Sequence, residues 1–151
     1  MRAQDLMTRP ALTCRATNTL NDAAKLMWEC DCGAIPVVDD EGTPIGMITD
    51  RDICMACYTQ GRPLTQIRIG AVMSPNVISC RVDETIAATE GLMRRHQIRR
   101  LPVVALDGSI AGVLSLNDIA THAQGKQVSR IDGINADAVA TTRAAICAKD
   151  A

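Results

Sequence analysis

The alternation of apolar and polar positions describes one short unit twice along the chain. Each copy begins with a short extended piece, ALTCR at 11–15 and NVISCRV at 76–82. An apolar stripe at helical spacing follows, then two apolar runs separated by a turn, and then a short closing helix. The pattern therefore predicts the order β-α-β-β-α in each copy and an α/β (α+β) fold.

The helices are predicted from their apolar stripes and from the residues that precede them. The first helix of each copy is expected to be capped by Thr17 and Asp83, because such side chains accept hydrogen bonds from free N–H groups. The closing helices are expected to start near Thr49 and Ser115. The stripes of the first helices consist of Leu20, Ala23, Ala24 and Met27 in one copy and Ile86, Thr89 and Met93 in the other.

The two copies align without a gap when the chain is shifted by 66 residues, which indicates an internal duplication. The shift places, for example, Met7 on Met73 and Cys14 on Cys80. The alanine-rich C-terminal tail lies outside the repeat, and its sequence allows a helix that docks on the core, docks on a partner subunit, or frays. The predicted divisions are repeat 1 at 1–58, a linker at 59–70, repeat 2 at 71–123 and the tail at 124–151.

Composition narrows the classes of function. Apolar residues make up 47% of the 151 residues, but the chain has one Trp, one Tyr and no Phe, so stacking platforms for nucleic acid are nearly missing. A net charge of −1 also disfavours nucleic acid as a partner. The sequence contains no run of eighteen apolar residues and no signal-peptide core at its N-terminus, so we expect a cytoplasmic protein without a membrane partner. The seven cysteines fit that compartment if they are mostly reduced.

A hydroxyl and a carboxylate recur three residues apart in GMITDRDI at 46–53 and GVLSLNDI at 112–119. One interpretation is a capping box, in which Thr49 with Asp52, and Ser115 with Asp118, close the start of a helix. The other is a ligand site, because free N–H groups at a helix start suit phosphate and a carboxylate can accept hydrogen bonds from both ribose hydroxyls. The duplication does not decide between them, since a cap would be copied too.

A site that binds phosphate also benefits from nearby cationic side chains. Arg99 and Arg100 stand just before the first apolar strand of the second copy, where the first copy has Gly33 and Ala34. We therefore expect the site with these arginines to prefer more phosphate, although the sequence leaves open which cleft they serve. Adenine would need an apolar slot, for which the candidates are Thr13, Ile35, Pro36, Ser79, Leu101 and Pro102, all equally suited to the core.

With these motifs in place, the chain resembles the CBS domain family. The resemblance is carried by LMT and VMS at the repeat starts, by AIPVVD and RLPVV, and by the doubled Gly-x-x-Thr/Ser-x-x-Asp pattern. It implies a CBS pair with pseudo-twofold symmetry, sheets packed face to face, and two clefts that bind adenosine-containing ligands. TDRDI, HQIRRLPV and AIC give a closer likeness to small stand-alone bacterial CBS proteins of the hypoxic response type.

The resemblance implies a regulatory adenosine-nucleotide sensor without catalysis. Its ligand would be AMP, ADP, ATP or NAD, with no catalytic cofactor, and the protein would be a homodimer that acts on an unidentified effector. Arg51 makes the first copy the fuller motif, since Asn117 replaces it in the second. The resulting candidate ligand-binding residues are Thr13, Ile35, Pro36, Thr49, Arg51, Asp52, Ser79, Arg99, Arg100, Leu101, Pro102, Ser115, Asn117 and Asp118; no catalytic or metal-binding residue is assigned.

Two rival functions remain open. The first is a thiol- or metal-linked redox protein that uses Cys30 and Cys32, although the expected four-ligand zinc pattern is missing. The second is a pure protein-interaction module. Cys14, Cys54 and Cys80 are expected to be buried thiols, and Trp28 is expected to pack in the core or at a helix–helix dimer interface.

Overall fold

The structure is a computed structural model that describes residues 1–125 and 136–148. It divides into two compact units that do not follow the sequence repeats. The first-repeat unit contains Ala11–Val77 with Gly108–Ile110. The second-repeat unit contains Met1–Pro10, Ile78–Asp107 and the described residues from Ala111 onward.

The first-repeat unit is built on an antiparallel pair of strands. Strand β1 (Ala34–Val38) pairs with strand β2 (Pro44–Thr49) in a register that sets Ala34 opposite Thr49. Cys14 adds a parallel bridge to Val37 on the other edge of β1. The helices cover a core formed by apolar side chains such as Leu20, Ile35 and Ile48. The elements are helix α2 (Leu20–Glu29), β1 (Ala34–Val38), β2 (Pro44–Thr49), helix α3 (Asp50–Gln60) and two 3-10 turns (Leu64–Gln66 and Ile69–Ala71).

The second-repeat unit repeats this plan with a three-stranded sheet. Its strands are β3 (Cys80–Arg81), β4 (Arg100–Val104) and β5 (Ile110–Ser115), in the order β3-β4-β5. Strand β3 runs parallel to β4 and sets Cys80 opposite Val103, as Cys14 lies opposite Val37. The predicted α/β class and the order β-α-β-β-α are thereby confirmed. The elements are helix α1 (Ala3–Leu6), β3 (Cys80–Arg81), helix α4 (Ile86–His96), β4 (Arg100–Val104), β5 (Ile110–Ser115), helix α5 (Leu116–Gly125) and helix α6 (Ala136–Cys147).

The segment that begins each sequence repeat packs in the unit of the other repeat. Thr8 exchanges two backbone hydrogen bonds with Val113 of β5, with N–O distances of 2.9 and 3.1 Å. Ser74 does the same with Met47 of β2, at 3.0 and 3.2 Å. These antiparallel bridges place residues 1–10 in the second-repeat unit.

Glycine makes this close approach possible. A Cβ on Gly112 would lie 2.7 Å from Met7 Sδ and 2.8 Å from the Thr8 carbonyl oxygen. A Cβ on Gly46 would likewise lie 2.5 Å from Met73 Sδ. Both glycines therefore admit a neighbouring backbone that any other residue would push away.

The caps of the first helices differ from those predicted. Thr19 caps α2, where its Oγ1 accepts from the Asp22 N–H at 3.3 Å, so the prediction of Thr17 was wrong. Thr85 caps α4, where its Oγ1 accepts from the Ala88 N–H at 3.2 Å, so the prediction of Asp83 was also wrong. Asp83 instead pairs with Arg81, whose Nε donates to its carboxylate at 3.0 Å.

Helix α6 docks on α4 and α5, so the described part of the tail packs on the core. Val139 belongs to the second-repeat core, and Thr142 is fully buried. Arg94 Nη1 donates to Thr142 Oγ1 at 2.6 Å, and Thr142 lies 3.5 Å from Glu90 Oε1. Glu90 is 4% exposed, and its burial raises the pKa of the carboxyl group. The remaining tail residues, 126–135 and 149–151, lie outside the described part.

Two side chains predicted to be buried are exposed. Trp28 is 88% exposed, so the core alternative was wrong, while the alternative of a helix–helix dimer interface stays a prediction. Met27 takes the inward position on the same turn of α2, which rotates Trp28 away from the core. Cys54 is exposed because Ile53 and Ala56 form the inward face of α3, whereas Cys14 and Cys80 are buried as predicted.

Among the described residues, no helix has both the length and the apolar character needed to cross a bilayer.

Substitution of Gly112 tests the close approach of the N-terminal segment. We expect Gly112→Ala to lower the free energy of unfolding by about 1–3 kcal/mol, because the added methyl group meets a backbone oxygen. Gly91→Ala is the matched control, since no atom lies within 4 Å of its added Cβ in α4, and it should stabilise the protein by about 0.5–1 kcal/mol. Chemical denaturation measures both. Equal effects of the two substitutions would contradict the packing described here.

Candidate functional site

The doubled motif forms the corner at which the last strand of each repeat turns into its closing helix. In the first corner, the Thr49 N–H donates to Asp52 Oδ2 at 2.9 Å. The Asp52 N–H donates back to Thr49 Oγ1 at 3.1 Å. Two hydrogen bonds thus close the first turn of α3 as a capping box.

The second corner has the same geometry. The Ser115 N–H donates to Asp118 Oδ2 at 2.8 Å, and the Asp118 N–H donates to Ser115 Oγ at 3.1 Å. Ser115 Oγ also lies 2.7 Å from the same carboxylate oxygen, to which it donates. The capping interpretation is confirmed at both corners, and the ligand interpretation stays a prediction.

Each capping carboxylate retains an acceptor. The cap uses Oδ2 of Asp52 and of Asp118, and within residues 1–125 and 136–148 neither Oδ1 takes part in a hydrogen bond. Both side chains are half-buried, so they are partly accessible to a ligand. Ser115 and Thr49 are also half-buried. A corner of this kind can hold a hydroxyl group beside the positive end of a helix dipole.

The residues that precede the central strand meet these corners within their own units. The Leu116 N–H donates to the Arg99 carbonyl oxygen at 2.9 Å, which places Arg99 and Arg100 at the first turn of α5. Both arginines are exposed, and neither forms an ion pair with another described residue. The second corner therefore carries two uncompensated cations.

The first corner has a carboxylate beside the residue that precedes its central strand, and no arginine at that position. The Asp50 N–H donates to the Gly33 carbonyl oxygen at 3.1 Å, and a Cβ on Gly33 would lie 2.9 Å from Asp50 Oδ2. Asp50 is thus the carboxylate that stands where the second corner has arginines. The prediction did not include it among the site residues. The 66-residue register contained the signal, because it pairs Asp50 with Leu116 and Gly33 with Arg99. The next residue, Arg51, is exposed, and so is its equivalent in the second copy, Asn117.

The candidates for an adenine slot lie mostly in the cores. Ile35 and Leu101 are fully buried, and Pro36 and Pro102 are buried beside them. Neither Ile35 nor Leu101 therefore has a side chain or backbone surface open to a ligand in this structure. Thr13 and Ser79 are half-buried directly before the residues that pair with β1 and β4.

The thiols do not form a reactive centre around the corners. Burial raises the pKa of Cys14 to about 11, with smaller contributions from Asp22 and Cys32. Burial likewise raises the pKa of Cys80 to about 11. Such thiols are protonated at neutral pH and are poor nucleophiles. Cys30 is exposed and Cys32 is half-buried against the first-repeat core. The described side chains contain no group of three or more His, Cys, Asp or Glu residues suited to a metal ion.

Comparison with known proteins shows which family this chain matches. The family model "CBS domain" matches residues 3–58 and 69–125. The CBS domain-containing protein YhcV of Bacillus subtilis is 38% identical over 119 residues, 79% of this chain and 83% of YhcV. Hypoxic response protein 1 of Mycobacterium tuberculosis is 30% identical over 120 residues, 80% of this chain and 83% of the relative. The expected likeness to that type is confirmed.

Three solved structures share the fold. The CBS domain pair of MJ0100, in complex with 5'-methylthioadenosine and S-adenosyl-L-methionine, has a TM-score of 0.76 and 26% identity over 84% of this chain and 98% of its own. CBSX2 in complex with AMP has a TM-score of 0.71 and 25% identity over 82% and 96%. Hypoxic Response Protein I with two coordinated zinc ions has a TM-score of 0.70 and 30% identity over 81% and 98%.

Asp52→Asn measures how much the first corner depends on the charge of its cap. The amide can still accept from the Thr49 N–H, but it loses the favourable interaction of a negative charge with the helix start. We expect the free energy of unfolding to fall by about 1 kcal/mol or less. Asp22→Asn is the matched control, because Asp22 occupies the same position in the Thr19 capping box. A thermal or chemical denaturation loss far larger than that of Asp22→Asn would show that the corner carries more than a cap.

Proposed function

The chain belongs to the CBS domain family, and we propose that it is a regulatory module that binds adenosine-containing ligands without a catalytic activity of its own. The ligand is AMP, ADP, ATP, NAD or a related adenosine compound. The protein acts in the cytoplasm as a homodimer, and ligand occupancy changes its affinity for an effector protein. The seven free cysteines are consistent with that reducing compartment.

The observation that carries the proposal is the unused oxygen of the capping carboxylates. Oδ2 of Asp52 and of Asp118 already accepts the backbone N–H of its corner. Oδ1 is then oriented without a partner among the described residues, beside the free N–H groups of a helix start. A ribose presents two neighbouring hydroxyl donors, and a carboxylate accepts such donors strongly. The complexes of MJ0100 with two adenosine compounds and of CBSX2 with AMP support this ligand class.

The charges of the two corners suggest that they differ in specificity. The second corner adds Arg99 and Arg100, which can hold phosphate oxygens. The first corner adds Asp50, which repels phosphate, and Arg51, which attracts it. We therefore assign the more highly phosphorylated ligand to the site that Arg99 and Arg100 serve. The less charged adenosine ligand belongs to the site of the first corner.

The redox alternative has less support. Cys14 and Cys80, the two buried thiols, have pKa values raised to about 11 by burial, so they are unsuited to thiolate chemistry at neutral pH. Cys30 and Cys32 remain as candidates, but Cys14, whose pKa is raised in part by Cys32, is a protonated thiol at neutral pH. The proposal therefore rests on the corners and not on the thiols.

Calorimetry with AMP, ADP, ATP, NAD and their guanine counterparts tests the proposal. We expect an adenine ligand to bind to ligand-free protein with a Kd between about 1 μM and 1 mM. Asp52→Asn should weaken binding about tenfold to a hundredfold, because a charged acceptor of ribose hydroxyls is lost. Asp22→Asn should bind like the wild type. If no adenosine compound gives heat or a thermal shift, or if both variants bind like the wild type, the proposed ribose contact is wrong.

The second test compares ligands of different charge. We expect the double substitution Arg99→Gln and Arg100→Gln to weaken ATP binding about tenfold or more while changing the affinity for adenosine little. Arg95→Gln is the control, because Arg95 is also exposed in the same basic segment but lies on α4. Titrations at two salt concentrations separate specific contacts from general attraction. An equal loss with Arg95→Gln would assign the effect to net charge alone.

A further inference from the structure

A carboxyl group is buried where helix α6 docks on α4. Glu90 of α4 is 4% exposed, and Thr142 of α6, which lies beside it, is fully buried. Val139 of α6 belongs to the core of the same unit, and Ile146 packs against that core. A Glu side chain is rarely buried to this extent unless a partner compensates its charge. The contact between α4 and α6 therefore contains an ionisable group that apolar packing does not require.

The hydrogen bonds of Thr142 decide which form of Glu90 fits this contact. A hydroxyl group has one hydrogen to donate and two lone pairs to accept with. Thr142 Oγ1 accepts from Arg94 Nη1 at 2.6 Å and donates to the Ala138 carbonyl oxygen at 2.9 Å. Glu90 Oε1 lies farther away, at 3.5 Å from the same Oγ1. The hydroxyl hydrogen is thus used within α6, and a lone pair of Thr142 is left for Glu90.

The docked arrangement favours the protonated form of Glu90. A protonated carboxyl group can donate to the lone pair of Thr142, whereas an ionised carboxylate can only accept and would face an oxygen. Arg94 directs its guanidinium at Thr142, and it forms no ion pair with Glu90 in the described part of the chain. Burial raises the pKa of Glu90, and the opposing effects of Arg94 and Thr142 are smaller.

Other ionisable groups surround this contact. On α6 itself, Asp137, Arg143 and Cys147 are exposed. His122 lies on α5, which packs against α6, and its Nε2 is buried without a hydrogen-bond partner among the described residues. A proton added to that atom would bury an unpaired positive charge, so His122 would destabilise the unit as the pH falls. Glu90 acts in the opposite direction. The remaining ionisable groups on the segments around α4 are the Met1 amino group, Arg2, Cys80, Arg81, Glu84, Arg95, His96, Arg100 and Asp118.

We propose that Glu90 makes the docking of α6 depend on pH: the helix is held on α4 and α5 while Glu90 is protonated and is released as Glu90 ionises. When α6 leaves, Glu90 is hydrated, and Arg94, freed from Thr142, lies one helical turn away and can pair with the carboxylate. Release of α6 thus also releases a proton. The contribution of Glu90 to docking is fully present below the ordinary carboxyl pKa of 4.5 and is lost as the pH rises through the raised pKa of the docked state.

Hydrogen exchange followed by mass spectrometry tests the proposal on the full chain between pH 5 and pH 8. Each rate is corrected for the intrinsic pH dependence of amide exchange, so that the protection factor reports the fraction of open helix. We expect the protection of residues 136–148 to fall about tenfold or more over this range, because one proton is linked to docking. The protection of α2, in the other unit, should stay constant.

Two substitutions of Glu90 assign the effect to its carboxyl group. Glu90→Gln is neutral at every pH and can still donate to Thr142, so the protection of α6 should no longer change with pH. Glu90→Ala should also remove the pH dependence, and alanine suits a helix at this position because the 66-residue register places Ala24 there in α2. Asp137→Asn is the matched control, since it removes an exposed carboxylate of α6 itself, and it should keep the pH dependence of the wild type.

Four outcomes would overturn the proposal. The first is protection of α6 in the wild type that stays constant or rises with pH. The second is an equal fall in α2, which would assign the change to unfolding of the whole protein. The third is a pH dependence that persists in both Glu90 variants. The fourth is its loss in Asp137→Asn, which would assign the effect to the start of α6.

Discussion

The hydrogen-bonded corner between strand and closing helix is the constraint on which the proposed site depends. At Thr49 the chain must leave β2 and start α3 within one residue, so the helix begins with free N–H groups close to the sheet. The carboxylate of Asp52 satisfies one of the backbone donors that this turn leaves unpaired. The same contact fixes the rotamer of Asp52. A cap and a ligand contact are therefore compatible, because they use different oxygens of one side chain.

The corner also explains why the residues before the central strands matter. Asp50 and Leu116 each donate a backbone hydrogen bond, to Gly33 and Arg99 respectively. The two units thus present the same backbone frame with different charges on it. Duplication preserved the frame, since hydrogen bonds between main-chain groups do not depend on side chains. Charge could then diverge at little structural cost.

Much of the fold could be predicted from the sequence because its signals are local and occur twice. The element order and the two corners follow from short patterns. The caps at Thr19 and Thr85 were missed because Thr17 and Asp83 also align in the 66-residue register and have equally suitable side chains. The choice between the two pairs depends partly on a contact between residues far apart in the chain. A turn in which the Asn18 N–H donates to the Arg15 carbonyl, and a bond from the Leu20 N–H to the Ile67 carbonyl, fix the start of α2. No short stretch of the sequence contains both contacts, because Ile67 lies far from Leu20 along the chain.

The side chains of the candidate site were less predictable than its backbone. The pattern predicts which residues of a helix face inward, but the residue type of Trp28 left open a core position or a helix–helix dimer interface. One step along α2, from Met27 to Trp28, turns the side chain by about 100° and changes a buried position into an exposed one. Asp50 was not predicted as a site residue because it lies outside the motif that the two copies share.

The exchanged N-terminal segments have a consequence for the order in which the protein is made. Residues 11–77 contain all of the first-repeat unit except three residues, so most of this unit can fold while the ribosome is still translating the second repeat. Residues 1–10 leave the ribosome before the rest of either unit, yet their partner Val113 is synthesised more than a hundred residues later. Thr8 must therefore wait, unpaired, until strand β5 has been made. Met7 and the edge formed by Thr8 are exposed to chaperones and to neighbouring nascent chains throughout that interval.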